Sequence, residues 1–153
     1  MSVRDDLIAA INLEVRRSQN RADAYDEFVA EQVGLNRTDQ RALDVLDQEG
    51  GTTTPGRLAE RMGLTSGAIT TVLDRLERAG FVRRIRDEQD RRRIHVEVTD
   101  LARETLWPYY QPMTELADRL FARYSDEQLE LLLDFLTTAG ELNDKLVARL
   151  KAG

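Results

Sequence analysis

The stretch that most constrains the fold is TTTPGRLAERMGLTSGAITTVLDRLERAG, residues 52–80, which carries the start and stop signals of two short helices. Thr54 can cap the first helix, and Pro55 suits its first position because the N–H that proline lacks has no helical partner there. Gly63 can adopt the positive φ of a tight turn, and Thr65 can cap the second helix. Two short helices joined in this way predict a helix-turn-helix.

The apolar residues of this stretch have the spacing that such a motif needs. Ala59 is small where the two helices would cross, and Gly80 ends the second helix, which we predict from Ser66 to about Ala79. The inner face of that helix is predicted to consist of Ile69, Val72, Leu73 and Leu76. Because caps, turn and core spacing agree, the motif is well specified.

A two-stranded hairpin is predicted directly after the second helix. Residues 81–86 form its first strand, and the alternation in RIHVEV predicts a second strand with Ile94, Val96 and Val98 on a buried face. The segment DEQDRRR between them is then an exposed, charged tip, and the whole lobe is a winged helix. His95 is expected to point outward, and we assign it no ligand role.

Longer helices are predicted on both sides of this lobe. Apolar residues recur at helical spacing over residues 4–32, and Asn36 with Asp39 resembles a capping box for the next helix. A long helix follows the wing, with Pro108 and Pro112 expected to kink or interrupt it. Ser125 begins a last, leucine-rich helix.

The predicted fold is mainly α with a small two- to three-stranded β wing. Residues 36–99 form a winged helix-turn-helix lobe, and residues 1–35 and 100–153 form a helical dimerisation region. The leucines of the last helix leave two interpretations open: they pack within the chain on the first helix, or they form a subunit interface. We favour the interface, because a small lobe offers little surface to cover them.

Charge is unevenly distributed along the chain. The formal net charge is -6, yet residues 52–99 hold ten Arg against seven Asp or Glu, which gives +3. A locally cationic lobe in an acidic protein suits contact with DNA phosphates. The other interpretation is chance variation in a charged surface.

Several functional classes find no support in the sequence. The chain has no cysteine and one histidine, so we expect no disulfide, no thiolate or histidine-rich metal site, no cofactor and no enzymatic activity. No long apolar run or export signal is apparent, and we expect a cytoplasmic protein with no membrane contact.

Two segments carry a family resemblance. LAERMGLTSGAITTVLDRLERAGFVRR, from Leu58 to Arg84, and DRRRIHVEVT, from Asp90 to Thr99, resemble the MarR family (multiple antibiotic resistance regulators) of dimeric winged-helix transcription factors. The family's usual leucine is replaced by Val98, and the glycine that commonly follows the wing is absent. The resemblance implies a homodimer that binds double-stranded DNA.

The expected DNA contacts lie on the second helix of the motif and on the wing. The outward face of that helix carries Ser66, Gly67, Thr70, Thr71 and Arg75. The resemblance implies that Arg92 enters the minor groove and that Asp90 holds it, while Arg91 and Arg93 contact phosphates. An ordinary polar helix face and a solvated charged turn are the alternatives.

The resemblance also implies a small aromatic or phenolic effector. Tyr25, Phe28, Trp107 and Tyr110 can line its pocket, although simple packing is the other interpretation. The predicted function is that of a sequence-specific, homodimeric repressor that binds a pseudopalindromic operator and is released by an effector. The alternative is a winged-helix module that contacts another protein and does not read DNA.

Overall fold

A computed structural model describes residues 2–87 and 93–152. The mainly α fold with its small antiparallel sheet confirms the predicted fold class. In chain order the elements are α1 (Val3–Gln32), α2 (Arg37–Gln48), β1 (Thr52–Thr53), α3 (Pro55–Met62), α4 (Ser66–Arg78), β2 (Val82–Arg86), β3 (Ile94–Val98), α5 (Asp100–Phe121) and α6 (Asp126–Ala152).

The helix-turn-helix forms from the predicted local signals. The Thr54 hydroxyl accepts a hydrogen bond from the Arg57 N–H at the start of α3, and the Thr65 hydroxyl accepts one from the Ala68 N–H at the start of α4, each at 3.2 Å. Gly63 ends α3 with φ of 67°, the left-handed conformation that favours glycine. Both helices are therefore fixed by their own termini.

The sheet is antiparallel with strand order β1-β3-β2. β3 lies in the centre, where Thr52 of β1 and Arg83 of β2 both pair with Glu97. Val96 and Val98 are buried as predicted, but the prediction that Ile94 is buried was wrong, since it is 43% exposed. The reason is its register: Ile94 pairs with the exposed Arg86 at the end of the ladder nearest the wing tip.

The core lies where α2, α3 and α4 pack on the sheet. The predicted inner face of α4 is buried, and Ala59 of α3 is also buried, as its size predicted. Helix α5 contributes Ala102 from its first turn. The largest fully buried side chains of this cluster are Leu46, Leu58, Ile69, Leu73, Leu76 and Val96.

The chain divides into two compact units, residues 1–109 and 110–153, with the boundary inside α5. Helix α5 continues through Pro108 and Pro112, so the two prolines do not interrupt it. Within the described residues, no helix is both long and apolar enough to cross a membrane.

The long helices leave much apolar surface exposed. Helix α1 buries only Val29 and Ala30. No side chain of α6 that the structure describes is buried, and Leu142, Leu146 and Leu150 are all more than half exposed. Exposed leucine on this scale marks a surface that another molecule can cover.

Candidate nucleic-acid interface

Helix α4 presents a polar face of small residues to solvent. Ser66, Gly67, Thr70 and Thr71 are all exposed, while the opposite face is buried in the core. An α-helix fits the major groove of DNA, and short side chains let the helix backbone approach the base edges. The predicted face is therefore accessible, with the exception of Arg75, which is only partly exposed.

The two threonines of this face have their hydroxyl donors occupied. Thr70 donates to the Ser66 carbonyl at 2.8 Å, and Thr71 donates to the Gly67 carbonyl at 3.2 Å. What each side chain can still offer is a methyl group and hydroxyl lone pairs. These suit contact with a thymine methyl or with the amino group of adenine or cytosine.

Gly67 is not required by the fold of this helix. A Cβ at this position would have nothing within 4 Å. A glycine in a helix is less stable than an alanine, so the open space at Gly67 is of use chiefly to a molecule that approaches from outside.

Arg75 is held by a buried carboxylate. Its Nε donates to Asp39 Oδ2 at 2.9 Å and its Nη2 donates to Asp39 Oδ1 at 2.5 Å, and Asp39 is only 3% exposed. The Asn36 side-chain amide donates a further hydrogen bond to Asp39 Oδ2 at 2.9 Å. The hydrogen bonds to Asp39 raise the pKa of Arg75. This fork joins the first turn of α2 to the last turns of α4.

The sequence reasoning missed this role of Asp39. A signal was present, because Asp39 shares the spacing of Ala42, Leu43 and Leu46 on the buried face of α2. A carboxylate at a core position needs a charged or hydrogen-bonding partner. The partner itself lies 36 residues away and had no local signature.

A second arginine ties α4 to the sheet. Arg84 of β2 donates to Asp74 Oδ1 at 2.6 Å and forms an ion pair with Glu77. The hydrogen bond to Asp74 is the main cause that raises the pKa of Arg84. Two arginine forks thus fix α4, one to α2 and one to β2.

The predicted wing contacts lie mostly beyond the described part of the chain. Asp90, Arg91 and Arg92 fall outside the described residues, and Arg93 is exposed. At the base of the wing the Asp87 N–H donates to the Arg93 carbonyl at 3.0 Å.

His95 takes part in this base. Its Nε2 lies 3.0 Å from Asp87 Oδ2, and both side chains are partly buried. His95, which was expected to point outward with no particular role, therefore contacts Asp87 and joins β3 to the residue that follows β2.

Most described arginines of the lobe are engaged in ion pairs. Arg57 and Arg61 both pair with Glu49, and Arg83 pairs with its cross-strand neighbour Glu97 at 2.7 Å. By contrast, Arg41, Arg78 and Arg86 form no ion pair among the residues that the structure describes. Among the described residues of the lobe, fewer arginines are therefore available to a ligand than the composition indicates.

A polar groove lies between α1, α2 and α3. Burial, followed by the charge of Asp26, raises the pKa of Asp44 to about 6. Gln40 donates a hydrogen bond to Asp44 Oδ1 at 3.3 Å. Within the described residues, no three carboxylate or histidine side chains are placed to hold a metal ion. The groove has a volume of about 460 Å³ and is lined by Asp23, Asp26, Arg37, Gln40, Arg41, Asp44, Val45, Gln48 and Arg61.

The residues predicted to line an effector pocket differ in exposure. Tyr25 is half-buried, and its hydroxyl donates to the Tyr109 carbonyl at 2.5 Å. Phe28 and Trp107 are more than half exposed. Tyr110 is half-buried and is the first residue of the second compact unit.

Comparison with known proteins identifies the family. The MarR family model matches residues 35–94, which include α2, the helix-turn-helix and β2. The uncharacterised HTH-type transcriptional regulator YcgE of Bacillus subtilis is 32% identical over 89% of this chain and 88% of its own. The chain belongs to the MarR family. As a MarR-family protein it is a DNA-binding transcriptional regulator, which confirms that part of the prediction.

Solved structures share the fold of this MarR-family chain. FabT of Streptococcus pneumoniae, solved in complex with DNA, superposes with a TM-score of 0.68 at 23% identity, covering 91% of this chain and 99% of that one. NadR, solved in complex with 4-hydroxyphenylacetate, has a TM-score of 0.62 at 23% identity, covering 84% and 91%. The curated relatives of the chain, such as YcgE, are transcriptional regulators.

Proposed function

We propose that this MarR-family protein is a cytoplasmic, homodimeric repressor that reads a pseudopalindromic operator and releases it when a small effector binds. The observation that carries the proposal is the exposed face of α4, with small and hydroxyl-bearing residues outside and a fully buried face inside. A helix held this firmly can enter a major groove without reorganising.

Sequence would be read by the first two turns of α4. Ser66, Gly67, Thr70 and Thr71 supply the close approach and the methyl and hydroxyl groups that distinguish bases. Arg75, which is only partly exposed, would approach the DNA from the edge of this face nearest the core. On the wing, Arg92 would enter the minor groove beside Asp90, with Arg91 and Arg93 on phosphates. The wing assignment rests on the family resemblance.

The second copy would bind through residues 1–35 and 100–153. The exposed leucines of α6 and the exposed apolar residues of α1 support a subunit interface. A two-fold dimer places two recognition helices on half-sites about one helical turn of DNA apart, roughly 34 Å. Occupancy of such a site in a promoter excludes other proteins, so repression is the expected effect.

An aromatic or phenolic effector would bind near Tyr25, Phe28, Trp107 and Tyr110. The occurrence of a phenolic acid in the NadR structure supports this ligand class. An effector that binds more tightly to a dimer with unsuitable helix spacing would shift the population away from the DNA-binding form.

Selection of bound duplexes from a randomised DNA pool tests the proposal. We expect enrichment of a pseudopalindrome with half-sites about 10 bp apart, and an affinity for it that falls steeply with salt. Binding without sequence preference, or no binding, would contradict the proposal. It would favour a winged lobe that serves a protein partner.

A further inference from the structure

Within α4, all of which the structure describes, one arginine has a charge that is not already engaged. Of the two arginines on α4, Arg75 is bound at both Nε and Nη2 by Asp39. Arg78 is exposed and forms no ion pair within the described residues. The guanidinium of Arg78 can therefore bind an external anion without first breaking an internal contact.

The helix geometry puts Arg78 on the same side as the predicted base-reading residues. Eleven residues separate Gly67 from Arg78, which is three turns and roughly 20° of rotation. Thr71 lies between them on the same stripe, and all three residues are exposed. The stripe is about 16 Å long, which is longer than the roughly 12 Å width of the major groove. A helix that places Gly67 at the bases thus brings its other end near a phosphate strand.

The acidic residues next to Arg78 on α4 are paired with an arginine of the sheet. Asp74 and Glu77 also lie on the exposed side of α4, where unpaired carboxylates would repel DNA. Both are bound by Arg84 of β2. Their ion pairs leave Arg78 as the cation of this helix best placed to face a phosphate.

We infer that Arg78 binds a phosphate of the operator backbone, while Arg75 is a positioning residue that holds α4 against α2. This inference rests on the proposed function and deepens it. It assigns a DNA contact to a residue that the outward-face pattern did not include. It also reduces the role expected of Arg75 at the DNA itself.

The test compares R78Q with R41Q on the operator obtained by selection. Arg41 is also exposed and forms no ion pair with any residue that the structure describes. It lies about 200° around α2 from Asp39, the residue that faces α4. Both variants lose one positive charge, and glutamine is a good helix former. For each protein, the operator affinity is measured over a range of salt concentrations, together with thermal unfolding.

We expect R78Q to flatten the slope of log K against log salt by about 0.9 for each copy bound, hence about 2 for a dimer. At 0.1 M salt this corresponds to roughly a 60-fold loss of affinity. R41Q should keep the wild-type slope, and thermal unfolding should change in neither variant. R78K should restore the slope, because lysine also binds phosphate as a point charge.

The outcomes separate this inference from the proposed function. If the wild-type protein selects no operator, the proposed function fails. If it selects one and R78Q has the same slope as R41Q, only the role of Arg78 is overturned. A changed base preference in R78Q with an unchanged slope would also overturn it, since that result assigns Arg78 to a base edge.

Discussion

At Gly67 an alanine would favour helix stability, whereas the glycine favours DNA binding. An alanine there would stabilise the helix, because glycine loses more backbone freedom on folding and the added methyl would meet no neighbour. We expect G67A to raise the free energy of unfolding by about 0.5 kcal/mol and to weaken operator binding by at least tenfold, since the methyl would stand between the helix and the bases. Urea unfolding and operator titration measure the two effects.

Gly56 provides the matched control for this prediction. It is exposed and occupies the same second position in α3 that Gly67 occupies in α4. A Cβ at Gly56 would likewise have nothing within 4 Å. G56A should therefore be stabilised to a similar degree with operator affinity unchanged. Equal affinity in G67A and wild type would show that the glycine is not at the DNA surface.

Asp44 makes the stability of the protein depend on pH. Its pKa is raised from 3.8 to about 6, mainly by burial. Between these two pH values the folded state therefore holds a proton that the unfolded chain has released. The contribution of Asp44 to stability is therefore greatest below about pH 4 and is lost as the pH rises to 6. We expect D44N to stabilise the protein by about 1 kcal/mol at pH 7, allowing for solvent screening, and by nothing at pH 4. Urea unfolding at both pH values measures this, and a gain at pH 4 as large as at pH 7 would refute it.

At the scale of elements, the two ends of the Arg75–Asp39 fork should differ in their effect on stability. Asp39 has a buried side chain, while the Arg75 side chain is 37% exposed. R75Q leaves a carboxylate buried without its cation and should cost about 3 kcal/mol. D39N leaves an arginine that water can reach and should cost about 1 kcal/mol. Denaturant unfolding of both variants measures the difference. A larger loss of stability in D39N than in R75Q would mean that the buried carboxylate does not depend on Arg75.

Local sequence patterns predicted the helix ends and the turn but not the contacts between distant segments. The caps at Thr54 and Thr65 and the turn at Gly63 depend on neighbouring residues, so local patterns predicted them correctly. The forks at Arg75 and Arg84 depend on residues brought together only by the fold. The prediction that Ile94 is buried was wrong for a similar reason. Alternation shows which face of a strand a residue lies on, but not where along the strand the core ends.

The candidate site was predictable to different degrees. The exposed residues from Ser66 to Thr71 follow from helical periodicity, once the buried face of α4 is known. The pattern placed Arg75 at the edge of that face but could not show that Asp39 already binds it. Arg78 lies near the end of the helix, where a pattern cannot distinguish a paired arginine from an unpaired one.

At the scale of the whole molecule, the exposed leucines of α6 predict assembly. Leu142, Leu146 and Leu150 recur every four residues on one face of the helix and are 54–72% exposed. We expect the double variant L142E/L146E to place charges in the subunit interface and to convert the dimer into monomers. Analytical ultracentrifugation measures the change in mass.

The loss of the dimer should also weaken DNA binding, although the variant leaves the winged lobe unaltered. Two linked lobes bind two half-sites with an avidity that single lobes lack, so operator affinity should fall by about 10²-fold or more. T137E adds a negative charge to the opposite face of α6, beside Asp134, Glu141 and Asp144, and should remain dimeric with wild-type affinity. Both variants keep the same α4, so a difference in their DNA binding would come from their state of assembly. A dimeric L142E/L146E would place the subunit interface elsewhere. A monomeric variant with full affinity would show instead that one lobe alone accounts for operator binding.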